Sequence, residues 1–144
     1  MEFERSLSIS VLWFDSDMIE LRIRAASDRF AGSCDVYVSH GTLGEFASAL
    51  AGFPAGLKDE RCYEFGTLDP QSVPGFCEFR FYCTNSAGHT ALDITIHDNY
   101  TKHPKSSAKF IIPIEPAGVD NFVQGLKRLN HGRQGEAYLP MRYE

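Results

Sequence analysis

No run of apolar residues in this chain approaches the roughly 20 that a membrane-crossing helix needs. The opening stretch, MEFERSLSIS, has acids near its start and no long apolar block, which predicts no secretory signal and a cytoplasmic protein. None of the four cysteines, Cys34, Cys62, Cys77 and Cys83, belongs to a CxxC pair. Cys77 and Cys83 fall on one face of one strand but about 20 Å apart, too far for a disulfide or a shared zinc. The cysteines are therefore expected to be buried free thiols on apolar faces, with high pKa values rather than activated thiolates. G-x-S-x-G, Walker and G-x-G-x-x-G motifs are all absent. Lys and Arg number 14 against 19 Asp and Glu, a formal charge of −5, and no basic cluster is left to neutralise phosphates. The densest basic stretch, GLKRLNHGR, reads as a helix C-terminus. No nucleic acid, membrane, metal or cofactor is expected as a partner.

What the chain does have is bulk. It is 43% apolar, with 11 Phe and 6 Tyr in 144 residues, enough for one domain with a sizeable core. Period-2 alternation dominates. Leu7, Ile9, Val11 and Trp13 share one strand face, and Ile19, Leu21, Ile23 and Ala25 share another, with DSD at 15–17 as the hairpin turn. Cys34, Val36 and Val38 continue the pattern. The period then becomes helical: Leu43, Phe46, Ala47 and Leu50 form one stripe, with Thr42 and Glu45 spaced as a capping box. RCYEFG at 61–66 is a short strand. Cys77, Phe79, Phe81 and Cys83 face inward on the next, then Leu92, Ile94 and Ile96, then Phe110, Ile112 and Ile114. Pro113 cannot donate to a ladder, so its strand lies at an edge or turns that position away from its neighbour. Pro116 opens a second helix, with Val119, Phe122, Val123, Leu126 and Leu129 as its apolar stripe. The expected fold is α+β, a six- to seven-stranded mainly antiparallel sheet with two amphipathic helices in the order β-β-β-α-β-β-β-β-α. Residues 1–132 form a single domain, and the tail 133–144 packs back on it or is mobile.

Two stretches carry candidate function. HDNYTKHP at 97–104 concentrates polar groups. His97 and Asp98 are adjacent on a strand, so they point to opposite faces and make no dyad by themselves. The gap between His97 and His103 matches neither a helical pair nor the usual zinc spacing. The stretch reads as a polar hairpin connection, with a small hydrolase or metal-dependent enzyme using the His97–His103 loop as the alternative. The second feature is an outward face rich in charge and tyrosine: Tyr37, Glu78, Arg80, Tyr82, Asp93, Thr95 and His97. Tyrosine beside charge is typical of protein interfaces. With Asp98 and Tyr100 from the neighbouring loop, Tyr37, Glu78, Arg80, Tyr82, Asp93 and His97 make the candidate partner-binding set.

The succession MIELRIRA, SCDVYVSH, TLGEFASALAGF, CYEFG, two long strands, KFIIPIE and VDNFVQGLKRL, with YEFG as a local signature, resembles the WapI-type immunity proteins and related uncharacterised bacterial domains. The resemblance covers roughly residues 5–130. It implies a small non-enzymatic cytoplasmic bacterial protein that binds and neutralises a toxin encoded beside it, and it carries over no site residue. An acidic chain suits a basic toxin domain as partner.

Overall fold

A computed structural model describes residues 6–66, 75–99 and 104–142. Its elements run β1 (Ser6–Phe14), β2 (Met18–Ala26), β3 (Ala31–Ser39), α1 (Thr42–Leu50), β4 (Glu60–Gly66), β5 (Gly75–Cys83), β6 (Thr90–Asp98), β7 (Ser106–Ile114), α2 (Pro116–Leu129) and β8 (Glu136–Pro140). The class is α+β and the order of the first nine elements matches the alternation. The sheet count differs. Instead of one sheet of six or seven strands there are two antiparallel four-stranded sheets, β3-β2-β1-β8 and β4-β5-β6-β7. The eighth strand comes from the tail, where Ala137 and Leu139 face Ile9 and Leu7 of β1.

The inward faces of both sheets and the stripes of both helices form one core. β3 packs across β4, β5, β6 and β7, and at that crossing the backbones meet. A Cβ on Gly75 would strike the carbonyl oxygen of Asp35, so glycine is what lets β5 approach β3. At the opposite corner Ile114 bridges to Met141, and the Arg142 N–H donates to the Pro113 carbonyl at 2.7 Å. β7 is an edge strand, as its proline requires. The Pro113 carbonyl points away from β6 toward Arg142, so the N–H that proline lacks would also have faced away from the ladder with β6. Helix α2 packs on β8, and α1 on α2 and β4.

Phe46 of α1 is the hub of the core. Its ring centroid lies 4.7 Å from Tyr63, 5.0 Å from Phe79, 5.4 Å from Phe65, 6.0 Å from Phe122 and 6.3 Å from Phe81. The edge-on approaches of Phe65 and Phe122 suit the ring quadrupoles. The helix around it is capped from outside. Thr42 was expected as the N-cap; instead Gly41, at φ 94°, precedes the helix and Thr42 opens it. The Thr42 hydroxyl lies 3.1 Å from that of Ser39, so it is not free to cap. No cation occupies the last turn of α1. Arg61 of β4 supplies one, donating from Nη1 to the carbonyls of Ala49 and Ala51 at 3.0 and 3.1 Å. Its Nε and Nη2 grip both carboxylate oxygens of Asp59 at 2.8 and 2.9 Å, and Asp59 also accepts the Ala55 N–H at 2.7 Å.

Strand β1 departs from the expected alternation. A β-bulge between Val11 and Trp13 turns Trp13 opposite Glu20 rather than Ile19, which moves it from the inner face to the outer one. Trp13 is 50% exposed, where the alternation placed it inside with Leu7, Ile9 and Val11. The cysteines also differ from expectation: Cys34 and Cys77 are buried, Cys62 is exposed and Cys83 lies between.

Phe46→Ala should lower the free energy of unfolding by about 3–5 kcal/mol in denaturant titration, the cost of a large ring removed from a closed core. A second expectation concerns acid. The Arg61 guanidinium, and next the Ala55 N–H, hold the Asp59 carboxyl below its ordinary value of 3.8. Its contribution is therefore complete above that value and is lost as the pH falls through the depressed folded one. The urea midpoint of the wild type should fall more steeply than that of Asp59→Asn between pH 5 and pH 2.5.

Candidate partner-binding surfaces

The candidate set does not lie on one face. Glu78, Arg80 and Tyr82 of β5 and Asp93, Thr95 and His97 of β6 share the outer face of the second sheet. Tyr37, on β3, belongs to the outer face of the first sheet. Asp98 pairs with Gly75 and Ser106 on the opposite side of β6 from His97. Tyr100 and His103 lie outside the described residues.

The outer face of the second sheet is largely paired with itself. Arg80 Nε donates to Glu60 at 3.1 Å and Arg80 Nη1 stands 3.9 Å from Asp93. Lys109 Nζ donates to both Asp93 oxygens at 3.1 Å. These contacts run as one ladder across all four strands. The Arg80 guanidinium also lies 4.2 Å above the Tyr82 ring. His97 meets the edge of Phe76 at 5.8 Å, so its ring packs against an aromatic neighbour. One pair breaks the pattern. Glu64 and Glu78 stand directly opposite each other, both exposed, and among the described residues no cation pairs with either. Cys62 on the same face is no nucleophile in waiting. Desolvation and the Glu60 carboxylate, 3.6 Å from its sulfur, push its thiol above the usual range. Burial pushes the Cys77 thiol well up.

The first sheet presents something different. Eight large hydrophobic side chains are exposed among the described residues, and five of them, Leu12, Trp13, Phe14, Met18 and Tyr37, gather at one end of this sheet. That end is where β1 stops, β2 starts and β3 stops. Its backbone is held firmly. Asp15 accepts the N–H groups of Asp17 and Met18, each at 2.8 Å, and these bonds, the Met18 bond foremost, hold its carboxyl below the ordinary range. His40 Nε2 lies 2.7 Å from the Asp15 carbonyl, which can only accept, so that nitrogen carries the proton. The His40 ring stacks on His131 at 5.8 Å, and Phe14 covers Gly132, where a Cβ would come within 2.6 Å of the ring. Apolar groups are thus displayed on an anchored turn. Sequence reading found Tyr37 and missed the other four, because it had no sign of the bulge; the adjacency of Leu12, Trp13 and Phe14 was the available signal, since three consecutive bulky residues cannot all face one core.

Along the exposed edge of β7 runs a groove of about 640 Å³ lined by Phe30, Asp93, Lys109, Phe110, Ile111 and Met141 among others. Its charged rim is the Lys109–Asp93 pair already described. Among the described residues no group of three or more His, Cys, Asp and Glu converges as a metal would require, and no helix is long and apolar enough to cross a membrane.

Glu64→Lys should raise stability by about 0.2–1 kcal/mol in denaturant titration, because it replaces a like-charge cross-strand pair with an opposite one.

No family model matches the chain, and no curated protein matches it. Among solved structures it is similar to one described as the structure of the plant transcriptional regulator PBF-2. Sequence identity is 13%, the TM-score is 0.45, and the match covers 90% of this chain and 81% of that one. A likeness at this level carries no argument about function.

Proposed function

We propose that this chain is a non-enzymatic protein-binding protein, an immunity-type inhibitor that acts in the bacterial cytoplasm by seating on a basic toxin domain. The observation that carries this reading is the gathering of five exposed large hydrophobics on one anchored end of a sheet. Exposed large hydrophobics gathered at one place mark an interaction site better than scattered ones do; of the five, Trp13, Met18 and Tyr37 share the outer face, whereas Phe14 stands opposite the buried Ile19. Trp, Tyr and Met are also the residues that interfaces favour.

Asp15, Asp17 and Glu20 lie on and beside the turn and residues 12–20 and 36–48 contain no Lys or Arg, although Arg133 follows the Gly132 that Phe14 covers. That charge disfavours phosphate-bearing partners, nucleic acid or anionic lipid, and favours a basic protein surface. The unneutralised Glu64–Glu78 pair on the other sheet adds to the same field. The resemblance to WapI-type immunity proteins agrees with such a partner.

Co-expression of the tagged protein with the products of its neighbouring genes should yield a stable one-to-one complex with a basic domain. Trp13→Ser should weaken that complex at least tenfold, as loss of a central aromatic anchor does. A complex that forms equally well with Trp13→Ser, or no complex under any of these co-expressions, would remove the reading.

A further inference from the structure

The β-bulge in β1 does more than expose a tryptophan. It brings Trp13 into register with Glu20 of β2, and Glu20 is in turn in register with Tyr37 of β3. Directly opposed residues in antiparallel strands point to the same side. The outer face therefore carries a row of aromatic, carboxylate and aromatic across three adjacent strands. Trp13 is 50% exposed and Tyr37 36%.

The register gives this row the backbone spacing that a slot would need. Neighbouring strands lie about 4.8 Å apart, so the two aromatic side chains rise from backbones about 9–10 Å apart, with the carboxylate between them. A flat group stacked between two rings needs about 7–8 Å, one van der Waals contact on each face. The floor of the slot, the Glu20 carboxylate, acts through space on Arg22 two residues along β2 but makes no ion pair with it. Arg22, the nearest cation along β2, commits its fork to Asp35, with bonds of 2.9 and 3.0 Å. Among the described residues no salt bridge reaches Glu20.

We infer that Trp13, Glu20 and Tyr37 form a receptor for an arginine side chain presented by the protein partner. The guanidinium is planar, stacks on aromatic faces and donates in pairs to a carboxylate, so it satisfies all three groups at once. A lysine ammonium satisfies the carboxylate but has no flat face for two rings. This inference rests on the protein-binding reading and names the group that the apolar patch is built around. Asp15 and Asp17, on the turn that β1 and β2 share, steer the same charge toward the slot.

The chain's single tryptophan is in the slot, so its fluorescence reports on this site and no other. The probe is a capped tetra-arginine peptide, titrated into the full chain at low salt, with tetra-lysine and tetra-glutamate peptides for comparison. Tetra-arginine should change Trp13 emission saturably and bind several-fold more tightly than tetra-lysine. Glu20→Gln and Tyr37→Leu, both at exposed or half-exposed positions, should each weaken it about fivefold or more. Glu78→Gln, on the other sheet, should leave it unchanged. Equal weakening by Glu78→Gln would mean that general acidity attracts the peptide, and would overturn the inference. So would an affinity unaltered in Glu20→Gln and Tyr37→Leu. The two readings fail separately: a captured toxin domain whose affinity ignores Glu20→Gln overturns the slot alone, whereas Glu20-dependent peptide binding without any protein partner upholds the slot and removes the inhibitor.

Discussion

The ring of Phe46 is where the second sheet and both helices meet. It sits on the short helix that links the two sheets in sequence, and it touches aromatic side chains from β4, β5 and α2. A nine-residue helix is too short to be stable on its own propensity. Its stability comes from the rings around Phe46 and from Arg61, which neutralises its last turn from a neighbouring strand. In return the helix fixes where β4 begins, and with it the second sheet. The two sheets can then cross closely enough for backbone to meet backbone at Gly75.

Two surfaces result, and they differ in kind. The outer face of the second sheet is occupied with its own charges, ordered Glu60, Arg80, Asp93 and Lys109 from edge to edge. A partner would have to break that ladder to use it. The end of the first sheet is the reverse: exposed apolar groups with no such ladder of charges, on a turn held by Asp15 and His40. Binding costs less where side chains are already placed and no ladder of ion pairs must be broken. This contrast, rather than the number of tyrosines or charges on either face, distinguishes the two surfaces.

Much of the fold was legible in the sequence because strands and helices write their burial at different periods. Leu21, Ile23, Phe79, Ile94 and Phe122 were all assigned to the core and all are buried. The misreadings have local causes. Alternation gives the face of a residue within its strand but not the sheet to which the strand belongs, so Tyr37 was grouped with residues of the other sheet. A bulge inserts one residue and inverts the parity beyond it, which no count of apolar residues reveals; that inversion hid Trp13. The tail strand has two inward residues, Ala137 and Leu139, too few to establish a period. The N-cap went to Gly41 because a left-handed residue ends the preceding turn there, leaving Thr42 already inside the helix.

The pairing of β1 with β8 has a consequence for synthesis. Of the eight strands β1 is synthesised before all the others and its second neighbour, β8, after them. Until then Leu7 and Ile9 border an open ladder of backbone donors and acceptors, the kind of edge that other chains can join. The two serines that alternate with them, Ser8 and Ser10, give that waiting edge no charge to repel a stranger. Completion of the first sheet is therefore a race between the arrival of the chain's own final strand and the arrival of someone else's.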